Sequence, residues 1–496
     1  MKHHHCLQRI FPLLLVLLPA VWNLPLQAKK KQKPGKETVL AIDAIVHEKM
    51  PRGSRVGIYV YDLDNNSIIY EQEPNIMCQP ASCQKLLTTI STLDLEQDKP
   101  FKTQFWINGR LLQDSNHRNI LQGDMYIVGG FDPTLSVSNL DNIIRELRLS
   151  KITGTVYADV SAMDSVYFGP GWWWDDAQFA FQPYVSPLIV NQGKVTAYVS
   201  PTFSGSPAKV RIEPRSSYYK IENNSVTVPA DSASTARISR KWMQNMNTIV
   251  IDGNVNSRSM KEMNLFSSQD MFMQIFMERL KSNGVECNGK YQFAELATDT
   301  VPGSLEIISP QAELYYQYTT PFDSILYPML KDSRNLYAEC MLFNTAANTL
   351  NRKHLSWEQA VIPEKELARR LNFEEGTYAI KDGSGLSNVD FISPRQLVGL
   401  LQYAYNKPKI FDHLYPALPV NGTDGTLKNR MSGAGYTGRV HAKTGSLSVA
   451  STLAGYIRMR NGRMAAFCIM NQNYIGASKA RAMQDAVLCY IIDNVR

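Results

Sequence analysis

From residue 38 onward the chain alternates between two hydrophobic periods. Val39, Ile42, Ile45 and Val46 recur at the spacing of one helical face and predict an amphipathic helix over Thr38–Met50. Val56–Leu63 and Ile68–Glu71 are strand-like runs either side of Asp64-Asn65-Asn66-Ser67, which predicts a hairpin. The far end mirrors this start: Leu453–Met459 and Met464–Met470 read as strands joined at Asn461-Gly462, and a helix follows over Ser478–Asn494. Both chain ends are therefore expected in one antiparallel sheet covered by helices, with a helical cluster between them. Residues 101–309 are strand-rich, as in Gly154–Val160, Val195–Val199, Val210–Ile212 and Thr248–Val255. They predict a β-rich module inserted into a discontinuous domain of residues 38–100 and 310–496. The predicted class is α/β, of the α+β kind, and no internal repeat or long low-complexity segment interrupts it.

Three short motifs add chemistry to this frame. Ser82-Cys83-Gln84-Lys85 follows Pro80 and opens a helical pattern at Lys85, Leu86, Leu87 and Ile90. A helix there puts Ser82 and Lys85 on one face, roughly 5–6 Å apart at Cβ, within reach of amine and hydroxyl. Its N-terminus leaves free N–H groups and a positive dipole end beside the hydroxyl, which suits a developing oxyanion. Ser-x-x-Lys also occurs at Ser206–Lys209 and Ser217–Lys220, but neither looks like a helix start, so both read as loop or strand. Taken alone, Ser82 would be a helix cap and Lys85 a solvated charge. Ser333-Arg334-Asn335 would likewise cap the helix through Leu336, Cys340 and Leu342. Lys443-Thr444-Gly445 occurs once and belongs on a strand, where Gly445 is expected to admit a substrate backbone and Lys443 and Thr444 to meet a carboxylate. The ordered trio outweighs these bland readings, because it is the set found in class A β-lactamases and penicillin-binding proteins.

Charge and cysteine content narrow the setting. Residues 1–28 read as a signal peptide: Lys2 and Arg9 supply charge, Ile10–Trp22 an apolar core, and Leu26-Gln27-Ala28 a cleavage site. The apolar run is shorter than the ~20 residues a spanning helix needs. The net charge of +7 is carried by Lys2, Arg9 and the linker lysines Lys29, Lys30, Lys31, Lys33 and Lys36, so residues 37–496 balance at zero. A nucleic-acid surface is not indicated, and the basic linker (29–37) offers at most a weak surface contact with membrane or wall polymer. Six cysteines remain after cleavage, without the spacing of a disulfide scaffold; Cys468 and Cys489 are the pair that sequence places within approach, with free core thiols the expected case. Cysteines and histidines lack metal-ligand spacing, so neither metal nor cofactor is expected.

Gly171-Trp172-Trp173-Trp174-Asp175-Asp176, Leu121-Gln122-Gly123-Asp124, Gly130-Phe131-Asp132-Pro133-Thr134-Leu135 and Asp382-Gly383-Ser384-Gly385-Leu386-Ser387 complete the pattern. With the three motifs they resemble the class C penicillin-binding proteins, serine-type D-alanyl-D-alanine carboxypeptidases and endopeptidases, from about Val39 to Ile492. The resemblance implies a transpeptidase/β-lactamase-like fold whose insertion holds two nested subdomains. It implies an exported, periplasmic or extracytoplasmic hydrolase acting on peptidoglycan stem peptides and cross-links, with β-lactams as inhibitors. Ser82 would be the nucleophile, Lys85 its base, Ser333 a proton relay, Asn335 an orienting group and Lys443 a cation of the reacting end. The oxyanion would lie on the N–H groups of Ser82 and Ser446, and Thr444, Ser446 and Ser448 would bind the terminal carboxylate. Asp176, with Phe181 beside it, falls where the family meets the amino end of the diamino acid; the bland alternative is that Trp172–Trp174 and Phe181 pack the module and Asp176 caps a turn. Cys83 departs from the family pattern and is expected to sensitise the site to thiol reagents. A β-lactamase shares the motifs but does not usually carry so large an insertion. An esterase or amidase of the same fold would not bind penicillin, and a non-catalytic wall-binding protein would have lost Ser82, Lys85 or Lys443.

Overall fold

The computed structural model describes residues 35–296 and 312–495. The expected signal peptide, most of the basic linker and the expected module boundary at 309/310 lie outside the described residues. A five-stranded antiparallel sheet runs in the order Val440–Leu447, Ala450–Arg458, Met464–Gln472, Arg55–Asp62, Ser67–Gln72. Strand periodicity divides its side chains between two cores. Val56, Ile58, Val60, Phe467 and Ile469 face the terminal helices Lys36–Lys49 and Ala477–Asn494. Tyr59, Tyr456, Cys468 and Met470 face the helical cluster on the other side. Pairing Ile58 with Ile469 and Tyr59 with Cys468 keeps the two sets in register. Among the described residues no helix is long and apolar enough to cross a membrane.

The helix Gln84–Asp94 is the centre of that second layer, and its residues from Gln84 to Leu93 are all buried. Burial makes unpaired polar side chains costly, and most of those on this helix are paired, Ser91 Oγ being the exception. Gln84 and Thr88 bond Glu364, Thr89 bonds the Lys85 carbonyl, and Thr92 meets Thr345. The apolar pattern at 86, 87 and 90 predicts a one-sided helix; burial all round is what the extra polar pairing allows.

Between this helix and Ser333 the chain builds a sheet in the order Tyr291–Phe293, Val156–Asp159, Asn119–Val128, Phe101–Gln113, Glu313–Thr320, with Leu149–Ile152 beside Asn119–Val128. Pairing of Glu313–Thr320 with Phe101–Gln113 carries this sheet past the boundary expected at residue 309. Within it the chain makes two smaller sheets, one of Lys194–Ser200, Lys209–Glu213 and Ser259–Asn264, the other of Lys220–Thr227, Arg237–Arg240 and Thr248–Val255. Helices Val137–Leu147 and Ser268–Ser282 fill the space between, and one apolar core joins all three sheets.

Candidate active site

Ser82 stands in a short 3-10 turn, Ala81–Cys83, that leads into the helix starting at Gln84. The turn forces Ala81 to a φ of 46°, a left-handed conformation disfavoured for a residue with a Cβ. Two glycines let other segments close on it. A Cβ on Gly385 would overlap the Ala81 carbonyl, and one on Gly445 would sit 2.6 Å from Pro80 O and 3.0 Å from Ser82 N. The absence of a side chain at Gly445 lets its strand lie against the turn that carries Ser82.

Lys85 is fully buried and donates to Ser82 Oγ (3.0 Å), Asn335 Oδ1 (2.8 Å) and the Ser384 carbonyl (2.7 Å). Burial, reinforced by the nearby Lys443 charge, pulls its pKa down to about 7. Once neutral, the amine has two N–H bonds, which the shorter contacts to Asn335 and Ser384 occupy. Its lone pair then faces the Ser82 hydroxyl, the arrangement a base needs.

Lys443, also fully buried, donates to Ser333 Oγ (2.8 Å) and to the Thr444 carbonyl (2.8 Å). Burial lowers its pKa to about 8. Ser333 lies at a φ of 60° between the helices Asp323–Lys331 and Asn335–Leu350. Neither Ser82 nor Ser333 caps a helix: Cys83 and Arg334 hold the N-cap positions without a side-chain cap bond.

A cleft of about 400 Å³ opens over these groups, lined by Ser82, Ser333, Asn335, Ser446, Ser448, Asp176 and Phe181, with Trp173, Gly385, Leu386, Asn388 and Leu447. Thr444 is not on this wall; its hydroxyl lies 2.7 Å from that of Thr426, in the 3-10 turn Gly425–Leu427. Asn335 Nδ2 donates to the Phe181 carbonyl (2.8 Å), tying the Trp-rich segment to the reacting end. That segment divides its labour: Trp172 donates to Asp382 (2.7 Å) and sets its ring against Trp357, Trp173 lines the cleft, and Trp174 turns outward onto Trp242. Asp176 is half-buried, and burial, with Asp175 beside it, raises its pKa.

Cys83 differs from expectation. It is wholly buried, donates to the Lys443 carbonyl (3.1 Å), and burial pushes its thiol up to about 12, so reagent cannot reach a thiolate there. The six cysteines among the described residues are free, and Cys468 lies near Cys78 and Cys83 rather than pairing with Cys489. Groups of three or more potential metal ligands are absent among the described residues. Ser217 bonds Glu278 and Ser206 lies in a loop, each ahead of a strand, as sequence predicts for the two stray Ser-x-x-Lys matches. Sequence reasoning missed Ser384 and Glu339. The available signal for Glu339 was a lone carboxyl inside the apolar run Leu336–Phe343.

Comparison with known proteins points to one family. A profile of the D-Ala-D-Ala carboxypeptidase 3 (S13) family matches residues 39–491. The D-alanyl-D-alanine carboxypeptidase of Actinomadura sp. (strain R39) is 30% identical over 465 residues, covering 90% of this chain and 82% of that protein. The D-alanyl-D-alanine carboxypeptidase DacB of Haemophilus influenzae is 26% identical over 438 residues, 85% of this chain and 86% of its own. The crystal structure of penicillin binding protein 4 (dacB) from Haemophilus influenzae superposes with a TM-score of 0.78 at 21% identity, covering 91% of this chain and 99% of that one. The chain belongs to the D-Ala-D-Ala carboxypeptidase 3 (S13) family and is a serine-type D-Ala-D-Ala carboxypeptidase in its fold and chemistry.

Proposed function

We propose that Ser82 attacks the carbonyl between two D-alanines of a stem peptide, or the corresponding bond of a cross-link. The observation that carries this is the bonding of Lys85 Nζ, 3.0 Å from Ser82 Oγ and held by Asn335 Oδ1 and the Ser384 carbonyl, so that the neutral amine can turn its lone pair to the hydroxyl. Ser82 Oγ bonds the carbonyl carbon as its proton passes to Lys85 Nζ. The oxyanion sits at the backbone N–H groups of Ser82 and Ser446, which a cramped strand and turn hold together. Collapse expels the amine, with Ser333, held by Lys443, relaying its proton. Water then repeats the sequence on the acyl-serine. Thr444, oriented by Thr426, shares a strand face with Ser446, and with Ser448 they take the terminal carboxylate beside the Lys443 charge. Asp176 and Phe181, across the cleft, receive the amino end of the diamino acid. The 101–309 module brings them there.

β-Lactams enter by the same attack and leave a slowly cleared ester; one of the structural matches, penicillin binding protein 4 from Haemophilus influenzae, is complexed with a novel β-lactam. A wall substrate also places the protein outside the cytoplasm, with residues 1–28 as its export signal. The test is mass spectrometry after benzylpenicillin: one adduct on the peptide containing Ser82 and none on Ser82→Ala, with D-alanine released from a pentapeptide by the wild type alone. An adduct on Ser206 or Ser217 would overturn the assignment.

A further inference from the structure

Behind the nucleophile helix lie four carboxyl groups, Glu339, Glu364, Asp382 and Asp390, each at most 1% exposed. Their hydrogen bonds differentiate them. Thr88 has one hydroxyl hydrogen, yet its oxygen lies 2.6 Å from Glu364 Oε1 and 2.7 Å from the Gly383 carbonyl. A carbonyl cannot donate, so the Thr88 hydrogen goes to Gly383 and Glu364 supplies the other. Glu364 is therefore protonated, in keeping with a pKa that burial pushes up to about 8. Asp390 accepts from Lys381 N through Oδ1, and burial, with the charge of Asp382 and a side-chain hydrogen bond to it, holds its proton affinity well above the carboxylate range. Asp382 accepts three hydrogen bonds, from Gly385 N, Ser387 N and Trp172 Nε1.

Glu339 is the member that reaches the reaction. It lies four residues after Asn335 on the same helix face. Its two oxygens accept from Gly383 N and Ser384 N, each at 2.9 Å. Ser384 then offers its carbonyl to Lys85. One helix thus supplies both fixed partners of the amine, Asn335 directly and Ser384 through Glu339. The charged or titratable groups bearing on Lys85 are Lys443, which disfavours its proton, and Glu339, Asp382 and the neutral thiol of Cys83, with Glu339 the strongest of these opponents. Glu339 itself faces Asp382, Lys85 and the buried Cys340 thiol; burial and Asp382 raise its proton affinity, and the two N–H groups lower it.

We propose that Glu339 is a positioning residue for acyl transfer: by accepting from Gly383 N and Ser384 N it holds the Ser384 carbonyl on Lys85, whereas Glu364, bonded to Gln84 and Thr88, has no hydrogen bond to that loop or to the amine. This rests on the reading of Lys85 as base. Glutamine at 339 offers one acceptor to two N–H groups, so the Ser384 carbonyl is no longer held where it accepts from the Lys85 ammonium.

The experiment measures the benzylpenicillin acylation rate of the mature enzyme from pH 5 to 9, with active sites counted by bound label. Glu339→Gln is expected to move the acid limb down by about one pH unit and lower the plateau ~10-fold. Glu339→Asp keeps both acceptors but retracts them from the loop, so its limb and plateau move in the same direction by less; this variant alone carries the test should Glu339→Gln not fold. Glu364→Gln mimics the protonated acid and leaves the curve unchanged below pH 8. A wild-type limb and plateau in the Glu339 variants, or a loss confined to the count of active sites, overturns the proposal. A wild-type rate flat across this range instead removes Lys85 as the base, and the proposal falls with it.

Discussion

Replacing Gly445 by alanine separates two accounts of this position. The added Cβ would lie 2.6 Å from Pro80 O and 3.0 Å from both Ala81 Cβ and Ser82 N. Two of these are backbone atoms of the nucleophile turn, so relief requires the strand or the turn to move by several tenths of an ångström. Overpacking of this kind costs about 1–3 kcal/mol of stability. The catalytic cost is expected to be larger, because the displaced atoms include the Ser82 N–H proposed to meet the oxyanion. A misplacement approaching 1 Å lowers rates by as much as ~100-fold. The assay pairs a thermal melt with the acylation rate of benzylpenicillin and of a small thioester. Gly445→Ala should slow both acylations alike, by at least ~10-fold, with only a modest fall in Tm. A loss confined to long peptides, with small substrates acylated at the wild-type rate, would restore the idea that Gly445 clears a substrate path and would refute the packing argument.

The acylation rate should follow a bell in pH: it rises as Lys85 loses its proton through about 7 and falls as Lys443 loses its own through about 8, because one must be neutral and the other charged. A plateau reaching below pH 6 would contradict the first assignment. Thiol reagents should label the half-exposed Cys287 and Cys489 and leave Cys83 and acylation untouched until the protein unfolds; peptide mapping of the labelled native protein decides this. Asp176→Ala should lower kcat/KM for peptides with a free amino group by ~10–100-fold, since a charge-assisted contact contributes ~1.5–3 kcal/mol. Penicillin acylation should change little, and equal losses on both substrates would mean that Asp176 supports the fold.

Periodicity and motif order carried the outline because each is a local property of the chain. Thr248–Val255 is a strand with the bounds its alternation predicts, and the Lys443 strand and the helix after Ser82 lie where their flanking residues put them. Features made by distant segments meeting were not legible. The Cys83 thiol, which the sequence offers to reagents, answers instead to packing against a strand 360 positions away, and the close contact of Gly445 with the Ser82 turn spans a similar separation. The same limit hid Glu339: a carboxyl in a sequence reads as solvated, because burying one without partners is costly. Its partners are backbone N–H groups in a Gly/Ser-rich loop more than forty residues away, and no residue type advertises a backbone donor. What a sequence does offer is the contradiction itself. An acid inside Leu336–Phe343, where every neighbour is apolar, must either break the helix, face solvent or find buried donors; with a catalytic motif one turn earlier, the third outcome puts that acid beside the chemistry.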